Sequence, residues 1–176
     1  MKITTKNLTL SGLFIALGLY MPFLTAQVPS IGSRLLPMHI PVLISGFVLG
    51  WPYGLIIGLI TPVFRSVLFG MPPMIPTALA MSFELAAYGA ITGLLYRLLP
   101  KKDVYTLVTL VIAMIVGRIV WGTASYLIFG LSGRTFTWQL LVANGFVNAI
   151  PGIILQLFAI PLLVVALKRA RLIQNV

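Results

Sequence analysis

The chain has 176 residues, of which 60% are hydrophobic and only 8% charged, with a mean hydropathy of +1.09. Soluble domains carry about 25% charged residues, so a single water-facing domain of this composition is excluded and an integral membrane protein is expected. The formal net charge of +10 points to no nucleic acid, because the basic residues cluster between long apolar runs, as cytoplasmic loops facing anionic lipid do.

The chain has no cysteine, which removes disulfides, thiol catalysis and cysteine-ligated metals. Residues 7–33 carry no charge, and 7–26 reads as a first span, since a helix needs roughly 20 residues to cross ~30 Å of hydrocarbon. This run reads as a retained helix rather than a cleaved signal, because the chain stays apolar to its end. Within it Gly12 and Ala16 stand four apart, a small-xxx-small pair that admits close approach of another helix, either in the bundle or from a partner. Residues 27–36, with Pro29, Gly32, Ser33 and Arg34, read as a loop.

The next charge-free run is too long for one untilted span, and Gly50-Trp51-Pro52-Tyr53 punctuates it. It divides into a short second span, 38–49, and a third, 53–69. The turn at 70–76 is rich in proline, and the fourth span, 77–98, carries Glu84 and Tyr88. After the Lys101-Lys102-Asp103 loop come the fifth span, 104–129, with Arg118, and the sixth, 138–167, with Asn144 and Asn148. The fold class is therefore an all-α, six-helix transmembrane bundle forming one domain over 1–176. Lys2 and Lys6, Lys101 and Lys102, and the tail from Lys168 to Arg171 all face the cytoplasm if six spans are counted, so both termini lie inside. A bacterial cytoplasmic membrane is the expected location.

In this layout several polar residues from different helices converge on the outer half of the bundle: His39, Arg65, Glu84, Tyr88, Arg118, Trp121, Asn144 and Asn148, with Arg34 in the first outer loop. Charges in such surroundings are costly and call for partners or a function. An outward-facing small-molecule pocket accounts for the set. Each residue also has a plainer reading. Arg65 reads as a ligand contact or as a snorkelling side chain. Glu84 and Arg118 read as a ligand pair or a helix-to-helix pair, and the two asparagines as ligand contacts or interhelical bonds. Two arginines share a single glutamate, which leaves one cation for an anionic ligand.

Motifs for catalysis are absent. There is no His-Glu-x-x-His, no Gly-x-Ser-x-Gly and no P-loop. No catalytic residue, metal or cofactor is expected, and any energy for transport has to come from another subunit.

The Gly12-xxx-Ala16 pair, the Gly50-Trp51-Pro52-Tyr53-Gly54-Leu55-Ile56-Ile57-Gly58 turn, the short six-span layout and the basic termini together resemble the substrate-binding S components of energy-coupling-factor (ECF) vitamin transporters. The family turn is Gly-Pro-x-x-Gly-x-x-x-Gly, and here Trp51 stands between the glycine and the proline. The resemblance implies substrate capture from outside, docking on an EcfT-like coupling membrane subunit through Gly12 and Ala16, and ATP hydrolysis by two separate cytoplasmic ATPases. It also implies lids at 27–37 and 70–76 and a vitamin-like substrate. The spare cation favours pantothenate or another anionic vitamin, with a pyridoxine-like or other neutral ring compound as the alternative. A stand-alone facilitator or channel is the reading of another class, and the polar residues stop near mid-depth, short of a continuous path.

Overall fold

The computed structural model describes residues 4–25, 32, 34–133, 135–170 and 173. Lys2, residues 27–31, Ser33, Arg134 and Arg171 lie outside that set, as does the side chain of Asn144. All regular structure among the described residues is helical.

Helix α1 (Thr5–Tyr20) starts where the Thr4 hydroxyl accepts the Asn7 backbone N–H at 3.2 Å, a side-chain cap for a donor the helix leaves unpaired. It tightens into a 3₁₀ turn, Met21–Thr25, through Pro22. Helices α2 (His39–Leu49) and α3 (Trp51–Phe69) meet at Gly50. Gly50 has φ +86°, which glycine adopts without steric cost, and Pro52 sits in the first turn of α3, where its missing N–H is not needed. The Gly-Trp-Pro segment thus reverses the chain with almost no loop, and α3 begins at Trp51, ahead of the 53 expected from sequence.

Gly70 ends α3 in the left-handed conformation. A kinked segment, Met74–Ala78, with extended backbone at Ile75 and Pro76 after it, leads into α4 (Leu79–Leu98). Helix α5 (Asp103–Leu131) is the longest. The last apolar stretch is interrupted: α6 (Trp138–Val142) passes through a π-type turn, Ala143–Val147, into α7 (Ile150–Arg169).

Five segments among the described residues are long and apolar enough to cross a membrane: Thr5–Leu24, Trp51–Phe69, Met74–Leu98, Asp103–Leu131 and Trp138–Arg169. Helix α2, with 11 residues, is shorter, about 16 Å at 1.5 Å per residue. It is also the most enclosed, every residue from His39 to Phe47 being buried. Its neighbours α1, α3, α4 and α7 shield it, so its surroundings are protein rather than lipid.

The tightest seam lies between α3 and α4. A Cβ placed on Gly54 or on Gly89 would collide with the other's backbone, and one on Gly58 would strike the Leu85 carbonyl. Small residues let two helix backbones touch, and dispersion then replaces the hydrophobic drive that lipid does not supply. In contrast, Gly12 has nothing within 4 Å of a Cβ added there, and both Gly12 and Ala16 are exposed.

Successive long helices run in alternating directions. One end of the bundle gathers Pro22, His39, Arg65, Thr77 and Phe129. The other holds the basic residues: the Lys168 ammonium donates to the Lys101 carbonyl at 2.6 Å and pairs with Asp103 at 3.2 Å, and the Lys101 ammonium lies 4.1 Å from the Tyr96 ring centre.

Candidate functional site

A cavity of about 500 Å³ occupies the end away from the basic cluster, a size within the usual range for small-molecule sites. Its walls come from most elements of the chain, including Pro22 after α1, Leu36 and Pro37, and Met71, Pro72 and Pro76. Thr77 in the turn before α4 and Ala80, Met81 and Glu84 of α4 form one set, and Arg118, Trp121, Ser125 and Phe129 of α5 form another. Both sets recur at three- and four-residue steps, one face of a helix. Helix α2 adds Met38 and His39 at its start, α3 adds Arg65 near its end, and the closing segments add Phe136, Leu140 and Asn148.

Glu84 is the hub. It is 1% exposed, and its Oε1 takes two partners: the Arg118 Nη1 at 3.1 Å and the Tyr88 hydroxyl, which donates at 2.9 Å. The His39 Nε2 stands 3.7 Å from Oε2, beyond hydrogen-bond length. Tyr88 sits one helical turn along from Glu84, so a tyrosine at that spacing reaches the carboxylate from its own helix. The ring fits because α5 presents Gly117 there, and a Cβ at that position would occupy the same space as the ring. The His39 ring packs 5.6 Å from the Tyr88 ring.

Arg118 is only partly satisfied. Its Nη1 faces Glu84, yet Nε and Nη2 are buried and have no hydrogen-bond partner among the described residues. Both nitrogens of His39 are in the same condition.

Arg65 behaves differently. It is 4% exposed and lines the cavity, but its Nη1 donates to the Leu19 carbonyl at 2.5 Å, at the end of α1. Its guanidinium lies 5.2 Å from the Phe23 ring centre and 5.4 Å from that of Phe69, within cation–π range. Phe23 and Phe69 themselves meet edge to face at 5.0 Å.

The structure therefore gathers His39, Arg65, Glu84, Arg118, Trp121 and Asn148 at one cavity, with Tyr88 behind Glu84. Asn148 is half-buried. Arg34 is exposed and is not in the cavity wall. The backbone of Asn144 belongs to the π-type turn Ala143–Val147, and its side chain is outside the described residues.

Of the apolar wall, Trp121 was expected from the sequence, and Phe129 and Phe136 were not. Trp121 meets Phe136 edge to face at 6.0 Å, and Phe136 lies 5.2 Å from Phe129. A small residue, Gly145, opens room for the Trp121 ring. The available signal was the 118, 121, 125, 129 spacing on α5. Leu36, also in the wall, has φ +50°, and its carbonyl accepts the Gln156 side-chain amide at 3.4 Å. A leucine in the left-handed region is strained, and such strain persists where neighbours hold it.

Apolar helices around a ligand-sized cavity with buried charge define a class: helical membrane proteins that bind a small molecule. Residues 6–164 match the family model described as "ECF transporter, substrate-specific component", and the chain belongs to that family. No curated protein and no solved structure matches the chain. The protein is thus a multi-pass membrane protein and a substrate-specific transporter subunit rather than an enzyme. Membership implies a small-molecule substrate and association with coupling and ATPase modules.

Proposed function

We propose that the protein is the substrate-capture subunit of an ECF-type importer, taking up a vitamin or related small molecule in the cavity around Glu84 and Arg118. The observation that carries this reading is the position of the cavity. It lies at the end of the bundle opposite Lys101, Lys102, Lys168 and Arg169. Basic residues favour the cytoplasmic side, so the cavity faces outward. In this reading α2 completes a six-helix bundle with both termini inside, although its 11 residues fall short of the usual span.

Capture is followed by docking on a coupling membrane subunit, with hydrolysis on two cytoplasmic ATPases. The exposed Gly12 and Ala16 face of α1 is the docking surface, because small, uncovered residues allow a partner helix to approach closely. Leu36, Met71 and Pro72 of the cavity wall belong to the two lids that the family resemblance implies, 27–37 and 70–76, which in this reading close over the substrate.

The test is to release small molecules from the purified protein, identify them by mass spectrometry, and titrate the protein with the family's vitamins by calorimetry. At least one compound is expected to bind in the micromolar range or tighter. If nothing binds tighter than about 1 mM, roughly −4 kcal/mol, the capture role is wrong. A second measurement separates docking from capture. Gly12→Leu is expected to leave binding within about threefold while reducing uptake by the reconstituted transporter more than about tenfold, since the glycine touches nothing within the subunit.

A further inference from the structure

The two arginines at the cavity divide a task. The unbalanced charge resides on Arg65, which has no acidic partner among the described residues, because Glu84 pairs with Arg118 and Asp103 with Lys168. The unused donors belong to Arg118. Glu84 occupies only Nη1. In a guanidinium the Nε–H and Nη2–H point the same way, forming the side-on edge that grips a carboxylate with two parallel bonds. On Arg118, which stands in the cavity wall, that edge is covered by protein and lacks a hydrogen-bond partner among the described residues, so a ligand meets it once the guanidinium turns toward the cavity. Leaving charged donors in that state is costly, and an acceptor arriving with the ligand relieves it.

We infer, resting on the capture-subunit reading, that the substrate is a monocarboxylate whose carboxylate seats on the Nε–Nη2 edge of Arg118. Three features of the site set the class. The edge matches a planar two-oxygen acceptor better than a single carbonyl or hydroxyl. The two arginines of the wall face one glutamate, which leaves one guanidinium charge unmatched by a carboxylate. One carboxylate balances it, whereas a phosphate monoester or a dicarboxylate brings about two negative charges into an apolar enclosure. The remaining wall is largely apolar, with Met38, Met81, Trp121, Phe129 and Phe136, and its other polar side chains, Thr77, Ser125 and Asn148, are uncharged, so the body of the substrate is small and largely uncharged.

The experiment uses the full chain in lipid nanodiscs and calorimetry with six probes. Biotin and pantothenate are monocarboxylates, folate is a dicarboxylate, and riboflavin, thiamine and pyridoxine lack a carboxylate. The tightest ligand is then compared with its methyl ester, which keeps the body and removes the charge. The expected result is that a monocarboxylate binds best and that its ester binds roughly 30-fold or more weakly, the worth of a charge-assisted hydrogen bond or two. Arg118→Lys, which keeps the charge toward Glu84 and loses the edge, is expected to bring the acid-to-ester ratio below about threefold. If that variant does not fold, the wild-type acid and ester comparison decides alone. A tightest ligand without a single carboxylate, or equal binding of acid and ester, overturns the inference and leaves the capture role standing. Absence of binding by all six probes and by any co-purified compound overturns the capture role itself, and the inference with it.

Discussion

Arg65 and Arg118 are the same residue type at one cavity, 4% and 9% exposed, yet they are stabilised by opposite means. Arg118 is held by a carboxylate on the neighbouring α4, itself gripped by Tyr88. Arg65 has no carboxylate; a backbone carbonyl at the end of α1 and two phenylalanine rings hold it. The difference assigns the two residues different work. The Arg118 environment is a charge pair with an unpartnered edge, suited to a ligand. The Arg65 environment is a clasp that fastens α1 to α3, with its charge spread over π faces and a helix end, where the last carbonyls carry partial negative charge.

The comparison is broken most forcefully at Glu84. Replacing it with alanine leaves Arg118 buried and unpaired. Removing one member of a buried ion pair costs about 3–5 kcal/mol, and the Tyr88 hydroxyl loses its acceptor as well. Unfolding of Glu84→Ala in mixed micelles is expected to show a loss of that size. A loss below about 1 kcal/mol would mean that the pair contributes little to holding α4 and α5 together.

Arg65→Met is the complementary change. It keeps an unbranched apolar stem, removes the bond to the Leu19 carbonyl and ends both ring contacts. The lost interactions come to about 2–4 kcal/mol, but an unpaired buried cation goes with them, so a net loss of about 1–2 kcal/mol is expected, smaller than for Glu84→Ala. The change should be local. Amide hydrogen exchange at Met21–Thr25 is expected to speed up while α4 and α5 stay protected. Uniform acceleration across the bundle would show that Arg65 supports the core rather than the end of α1.

Much of this contrast was legible in the sequence, for a physical reason. A charge in an apolar run stands out, and Glu84, Arg65 and Arg118 were found that way, with the Glu84 to Arg118 pairing among the alternatives. What Arg65 touches was not legible, because Leu19 is a backbone partner and Phe23 and Phe69 look like ordinary lipid-facing residues. The rest of the aromatic and methionine wall was hidden for the same cause: in a membrane protein, residues facing a pocket and residues facing lipid are both apolar, so composition offers no contrast. The glycines that pack within the bundle were not singled out. Gly12 and Ala16 suggested close helix packing, whereas within the bundle the close approach is made by Gly54, Gly58 and Gly89, and Gly54 and Gly58 had been read only as part of a turn motif. The kink at Met74–Ala78 begins within the proline-rich turn read at 70–76, whereas the π-type turn at Ala143–Val147 has no periodic signature, since it disturbs the helical repeat for a single turn.

The smallest expected effect sharpens the comparison from the Glu84 side. Tyr88→Phe removes one hydroxyl and retains the ring that fills the space left by Gly117. Glu84 keeps Arg118, so no charge is stranded, and the cost is that of one buried hydrogen bond, about 1 kcal/mol. Its value lies in what accompanies that loss. With the hydroxyl gone, Oε1 has Arg118 alone, and the carboxylate is freer to turn so that both of its oxygens meet the guanidinium. If it turns far enough to draw on Nε or Nη2, the edge assigned to the substrate is taken up from within, and affinity for a carboxylate ligand falls while stability hardly changes. Calorimetry on Tyr88→Phe is expected to show a three- to tenfold weaker acid with an unchanged ester. Equal weakening of both would mean that Tyr88 shapes the cavity without steering the charge pair.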